Sequence, residues 1–316
     1  MEYLYNPLFE NKISRIGLGT LPFKRDTHGK ENRGEIKSTI LAALDKGINI
    51  IDTAPVYGDG YAEELIGEVI EEFCERKNII LTTKVGLSWK NGRIRRDSSV
   101  KQIKMEVKKS LKRLRTDYID VYYIQSTDPE VGIEKIALCM KRLYKKGLIR
   151  AIGVSNFSVD EMSKFLTFAP IHMVQHSYNL FERNAEEHII PFCEKNNINT
   201  VACSTLSNGL LAGDDNINSR CGLSVIKKVN NPPEPSRNEK IMKRIKKLKM
   251  LAQERFDKDI LHLALRWVLD KREESIVLWG ARKPEQLGPV DDIMHWSIDN
   301  DTKNKISNII KDSSDD

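Results

Sequence analysis

The chain has 316 residues, 40% of them hydrophobic and 30% charged, with a net charge of +6. The balance is that of a globular protein of one large domain or two average ones, and no apolar run approaches the ~20 residues of a membrane-spanning helix. The start, MEYLYNPLFENK, does not read as a secretory signal, and the five cysteines (Cys74, Cys139, Cys193, Cys203, Cys221) are odd in number, widely spaced and without a CxxC pair, which excludes a disulfide framework and predicts a soluble protein of the reducing cytoplasm.

Short β-branched runs alternate with longer amphipathic stretches. The first strand is read at Arg15–Gly19 and the second at INIID (48–52). An apolar stripe at Leu65, Ile66, Val69, Ile70 and Phe73 then predicts a helix. IILTTK (79–84) is the third strand, followed by a stripe at Val100, Ile103, Val107, Leu111 and Leu114. The basic run from Lys101 to Arg115 falls on the outer face of that helix, a solvated face rather than a nucleic-acid surface. YIDVYYI (118–124) leads to a stripe at Ile133, Ile136, Met140, Leu143 and Tyr144, stopped at Lys146-Gly147. IRAIGV (149–154), HMVQH (172–176), NTVAC (199–203) and SIVLW (275–279) complete the strands. Between the last two lies a polar, proline-bearing stretch from 213 to 237, expected as a long loop, and the tail 311–316 is expected to fray.

Repeated strand–helix alternation means a parallel sheet. Eight units favour an α/β fold of the closed (β/α)₈ TIM-barrel kind, a single domain over 1–316. An open dinucleotide-binding sheet is the weaker reading, because Gly17-Leu18-Gly19-Thr20-Leu21-Pro22 lacks the third glycine of GxGxxG. His172 and His176 are four apart on a strand, where that spacing makes no metal pair, so no metal is expected.

Barrel chemistry sits where strands end. Asp52 ends the second strand, with Tyr57 just beyond, and Lys84 ends the third. Each alone reads equally as an Asx-turn aspartate, a loop tyrosine or a solvated lysine. Together, an Asp52–Lys84 pair beside Tyr57 would lower the phenol pKa and let the tyrosine give a proton to a carbonyl receiving hydride.

In these residues the chain resembles the aldo-keto reductase family. GINIIDTAPVYGDGYAEELIG, ILTTKVG, KKGLIRAIGVSNF, VQHSYNLFER, LHLALRWVLD and LWGARKPEQL are similar to its signatures, in order, from about Ile13 to Ile293. The C-terminal wording is closest to the bacterial general-stress-protein branch. The resemblance implies a catalytic tetrad of Asp52, Tyr57, Lys84 and a histidine ending the fourth strand, but Gln125 stands at that position, followed by Ser126 and Thr127. A glutamine amide donates a hydrogen bond but does not titrate.

The resemblance also implies NADP(H) as cofactor. Ser155, Asn156 and Gln175 would hold the nicotinamide carboxamide, though Ser155-Asn156 reads as well as a helix cap. Cys203 would lie against the nicotinamide. Ser204, Leu206, Gly209 and Leu210 would strap the pyrophosphate, and Gly19 and Thr20 match the family's cofactor contact from the first strand. Gly280, Arg282, Lys283 and Gln286, expected to open the last barrel helix, would take the 2′-phosphate or simply be surface charge. The expected activity is NADPH-dependent reduction of an aldehyde or ketone, slowed by Gln125. The alternative is an NADP(H)-binding sensor or interaction protein with little turnover. The expected partner is a small carbonyl compound, with neither nucleic acid nor membrane.

Overall fold

A computed structural model describes residues 1–6, 8–9, 11–23, 32–90, 92–213 and 235–311. The chain opens with an antiparallel hairpin of β1 (Tyr3–Asn6) and β2 (Asn11–Ser14). The barrel strands follow as β3 (Ile16–Gly19), β4 (Ile50–Asp52), β5 (Ile80–Lys90), β7 (Ile119–Ile124), β8 (Ile149–Ser155), β9 (Met173–Ser177), β10 (Asn199–Cys203) and β11 (Ile276–Gly280). Each pairs in parallel with the next, and β11 pairs with β3 to close an eight-stranded ring. β6 (Arg93–Asp97) is an addition that pairs antiparallel with the outer part of β5.

The expected helical stripes form α2 (Tyr61–Phe73), α3 (Val100–Arg113) and α4 (Ile133–Lys145), following α1 (Arg33–Asp45). Leu65, Ile66, Val69 and Ile70 are buried as expected, whereas Phe73 is exposed, because it sits in the last turn beyond the strand it would pack on. Then come α5 (Val159–Leu166), α6 (Ile189–Lys195), α7 (Pro235–Phe256), α8 (Ile260–Leu269), α9 (Val290–Ile293) and α10 (Asn300–Lys311). Of the stretch 213–237 expected as a loop, residues 235–237 instead begin α7, and 214–234 lie outside the described residues, as does the tail 312–316. Among the described residues no helix is long and apolar enough to cross a membrane.

Parallel strands alternate side chains between helix layer and bore. Ile51, Leu81, Tyr122, Ile124, Ile152 and Val154 belong to the outer core under the helices. Ile50, Ile80, Val121, Tyr123, Met173 and Val201 fill the bore. Gly153 is a glycine because a Cβ there would lie 2.3 Å from the Tyr123 ring. Phe9 and Ile13 from the β1–β2 hairpin join the bore cluster and plug its N-terminal end. At that same end Arg15 donates to the carbonyl oxygens of Leu269, Arg272 and Ser275, and Glu2 pairs with both Arg15 and Arg266. The other end, where the strands finish, carries the polar residues.

Candidate active site

Four inward side chains at the C-terminal rim, Asp52, Thr82, Lys84 and Gln175, make a buried polar cluster. Lys84 Nζ donates to Asp52 Oδ2 at 2.5 Å and to the Thr53 carbonyl at 2.9 Å. The other carboxylate oxygen, Oδ1, accepts from Thr82 Oγ1 at 2.7 Å and Gln175 Nε2 at 2.9 Å. Asp52 and Lys84 are both buried, so each charge is tolerated only because the other is there. Burial works against the Lys84 ammonium, but Asp52 and then Tyr57 outweigh it and raise its pKa.

Tyr57 lies on the loop between β4 and α2, with Lys84 Nζ 5.3 Å from its ring centroid. Gly58, Asp59 and Gly60 in succession take left-handed backbone, at φ 66°, 56° and 86°. This turns the chain sharply back into α2 and leaves the phenol over the rim. The loop is held by Gly60 N–H to the Pro55 carbonyl at 2.7 Å and by Trp89 Nε1 to the Val56 carbonyl at 3.0 Å. Burial pushes the Tyr57 pKa up; Lys84 pulls it down and Asp52 pushes it up again, with a net result above the ordinary value. The expected lowering is therefore not what this environment produces. Lysine acts in the expected direction, but desolvation of the phenolate is the larger effect, and the group is held as a protonated phenol.

Around this cluster stand the other expected residues. Gln125 follows β7, its backbone fixed by its N–H to the Val85 carbonyl at 2.7 Å and its carbonyl accepting from Asn156 Nδ2 at 2.9 Å. Its side-chain amide makes no hydrogen bond to a described residue. Ser155 ends β8 facing inward, and Asn156 takes left-handed backbone at φ 57°. The cap of α5 is Ser158, in a capping box with Glu161, so Ser155 and Asn156 are not spent on capping. Cys203 ends β10 beside the cluster, and burial pushes its thiol up to about 11, so it stays a neutral thiol.

The remaining expected residues lie beyond the first, seventh and eighth barrel strands. Gly19 pairs with Gly280 across β3 and β11. Thr20 is buried, and its hydroxyl and N–H both donate to the Asp52 carbonyl at 2.9 Å. Ser204, Leu206, Gly209 and Leu210 lie in a compact turn after β10, with Ser204, Ser207, Asn208 and Gly209 all at positive φ. Arg282 and Lys283 do not open a long helix. Pro284–Leu287 is a single 3₁₀ turn, and Gly288-Pro289 separates it from the four-residue α9. The Gln286 side-chain oxygen, Oε1, caps both backbone N–H groups, of Arg282 at 2.7 Å and Lys283 at 3.2 Å. Lys283 pairs with Glu35 at 3.3 Å, whereas Arg282 is exposed and makes no ion pair with a described residue.

Two participants were not anticipated. Thr82 holds Asp52, and strict alternation from Lys84 would have placed it on the same inward face. Trp89 holds the Tyr57 loop from a strand that outruns the barrel, for which the sequence carries no local signal.

The aldo/keto reductase family profile matches residues 15–311. The chain is 41% identical over 300 residues to the aldo-keto reductase YhdN of Bacillus subtilis strain 168, covering 95% of this chain and 91% of that protein. It is 31% identical over 292 residues to the NADH-specific methylglyoxal reductase of Escherichia coli K12, covering 87% and 88%. The solved glycerol dehydrogenase AKR11B4 of Gluconobacter oxydans superposes with a TM-score of 0.89 at 36% identity, covering 99% of this chain and 96% of that one.

Proposed function

The chain belongs to the aldo/keto reductase family of oxidoreductases, and from that premise we propose that it reduces the carbonyl of an aldehyde or ketone to an alcohol with NADPH. The observation that carries the reading is the buried Asp52–Lys84 pair set under the Tyr57 phenol. When held by Ser155, Asn156 and Gln175, a dihydronicotinamide would supply the hydride to the carbonyl carbon. Tyr57 holds a proton on its hydroxyl and gives it to the carbonyl oxygen, where negative charge develops. Lys84, fixed by Asp52 and the Thr53 carbonyl, keeps a positive charge beside the phenolate that results. Gln125, its amide uncommitted, offers an N–H to the same oxygen, in the place where the family's signature has histidine.

The chemistry of the donor set fits a nicotinamide. Ser155, Asn156 and the free oxygen of Gln175 give an amide both the acceptors and the donor it requires. Cys203 would lie against the ring. Gly19, Thr20 and Gly280 line one side of the rim, and Ser204, Leu206, Gly209 and Leu210 the turn that would cross the pyrophosphate. Arg282 is the better candidate for a 2′-phosphate, since Lys283 already faces Glu35 and Gln286 has capped the backbone donors.

The test pairs kinetics with binding. Tyr57→Phe is expected to lose at least ~10²-fold in carbonyl reduction and to bind NADPH as the parent does. A variant that keeps its turnover overturns Tyr57 as proton donor. NADPH is expected to bind more tightly than NADH, with Arg282→Ala narrowing the difference, and equal affinities in the parent overturn the phosphate reading. The competing reading, a cofactor-binding sensor, draws on Gln125 and predicts NADPH binding without turnover on any aldehyde.

A further inference from the structure

β5 does not stop at the rim. It turns at Gly86, at φ 107°, and continues to Lys90, where β6 folds back on it. The register sets Leu87 opposite Arg96, Ser88 opposite Arg95, Trp89 opposite Ile94 and Lys90 opposite Arg93. Opposed residues share a face, so Leu87, Trp89, Ile94 and Arg96 form one face, and Ser88 and Arg95 belong to the other. The Trp89 indole donates to the Val56 carbonyl, next to Tyr57, which turns the first face over the Tyr57 loop. Arg96 on that face stands two pairs closer to the rim than Ile94. Ser98, two residues past Arg96, accepts from the Asp128 N–H at 2.9 Å, and Arg96 helps to hold down the pKa of Glu161, whose carboxylate accepts from Thr127, two residues past Gln125. Arg96 therefore sits at the rim near the loop that carries Gln125, on the face that leans over Tyr57.

This guanidinium is uncommitted. It is exposed and forms no ion pair with a described residue, and neither do Arg93 and Arg95. Glu161 spends its oxygens on Thr127 and on the Ser158 cap, and Asp97 accepts from the Ser99 N–H. Trp89, although hydrogen-bonded, remains 44% exposed, and Ile94 beside it 50%. An apolar wall with the Arg96 guanidinium at its rim end fits a ligand that is apolar in its middle and anionic at one end. The cofactor's phosphates are not that anion. In the ring of strands β5 lies four places from β10, so the hairpin stands across the mouth from the 204–213 turn, and Arg282 follows β11, three places away.

We propose that the preferred substrate is a carbonyl compound with a carboxylate or phosphate at the end remote from its carbonyl, bound by Arg96 with Trp89 covering the chain between. The proposal rests on the reductase reading above and deepens it. The experiment measures kcat/KM with NADPH on matched pairs: butanal against 4-oxobutanoate, and glyceraldehyde against its 3-phosphate. The anionic member of at least one pair is expected to lead by about tenfold, the lower end for a charge-assisted contact at an exposed site. Arg96→Gln is expected to erase that lead through KM while leaving the neutral member unchanged. Arg95→Gln, on the other face, is expected to keep it, and added salt to shrink it. A lead in only the first pair identifies a carboxylate; a lead in only the second, a phosphate. Neutral members preferred throughout, or a lead that survives Arg96→Gln, overturn the proposal. Absence of turnover on every aldehyde instead removes the reductase reading. Titration of 4-oxobutanoate and of glyceraldehyde 3-phosphate against tryptophan fluorescence, in the parent and in Arg96→Gln with NADPH present, then decides the proposal. Tighter binding of either anion by the parent supports it, and equal or absent binding of both overturns it.

Discussion

Neighbouring residues of one strand, Thr83 and Lys84, serve two buried charge clusters on opposite faces of β5. On the helix side, Glu63 accepts from Thr83 at 2.7 Å and from Arg113 Nε at 2.6 Å, and Arg113 reaches on to Glu106 at 2.5 Å. On the bore side, Lys84 meets Asp52. The outer cluster closes on itself: both Glu63 oxygens are used, and Arg113 also packs against Gly60, where a Cβ would come within 2.8 Å of its Cδ. The inner cluster is left open. Two of the three lysine N–H groups are taken by Asp52 and Thr53, and the ammonium faces the Tyr57 hydroxyl. Similar ingredients thus fasten α2 and α3 to the strand in one case and, in the proposed reaction, prepare a proton donor in the other. What separates them is whether the last donor ends on a structural partner or at the open rim.

The comparison is broken most directly by removing one cation from each side. Lys84→Met leaves the buried Asp52 carboxylate without its cation and Arg113→Met leaves those of Glu63 and Glu106, and each change is expected to cost ~3–5 kcal/mol in chemical denaturation. Only Lys84→Met is expected to lose ~10²-fold or more in turnover per folded molecule. If folded Arg113→Met protein loses turnover to the same degree, the two clusters are one functional unit and the distinction drawn here is wrong.

A buried polar group with no cluster at all sharpens the contrast. Both ring nitrogens of His176 lack a hydrogen-bond partner among the described residues, and the ring stacks on Tyr178. Burial lowers its pKa from 6.5 to about 4, so the folded protein resists protonating it. Because the folded value is the lower one, the unfolded chain takes up the proton first as pH falls. Stability is expected to drop by up to about 3 kcal/mol between pH 6.5 and 4. Urea midpoints across that range should fall less steeply for His176→Leu; identical slopes would show that the ring is hydrated in the native state.

The mildest substitution concerns the open side of the inner cluster. With Gln125 nothing beside the substrate oxygen titrates near neutrality, so the rate profile should be flat from pH 5 to 8. Gln125→His should raise the rate, with the ~10²–10⁴-fold of a full general acid as the upper bound and less where Ser126 and Thr127 have reshaped the pocket, and make it fall as pH rises through the imidazole range. A slower histidine variant on every aldehyde would mark glutamine as the adapted residue.

The ring of parallel strands was legible because each strand is an apolar run buried on both faces and each helix a clean stripe; 199–203 is reproduced to the residue. The grouping of Asp52 and Lys84 was legible from their places at strand ends, and that of Tyr57 from the loop just beyond Asp52. What escaped has common physical causes. The hairpins β1–β2 and β5–β6 carry polar residues where alternation would show, and RIRRD packs no continuous face into the core. The segment after Gly280 resembles a helix start, but proline and glycine confine it to one turn. The direction of the Tyr57 shift depends on how dry the phenol is, a property of packing that residue types alone do not disclose.

The ties at the plugged end of the bore also govern how the molecule is assembled. β3 pairs with β11, and Arg15 grips carbonyl oxygens at 269, 272 and 275. The first barrel strand made is therefore completed by the last, across some 260 residues of chain. Until β11 arrives, β3 and β10 each present an unpaired edge, a template for association with other chains. Closure of the ring is a long-range event and slow on the scale of helix formation. A growing chain leaving the ribosome carries that hazard until its final unit is free.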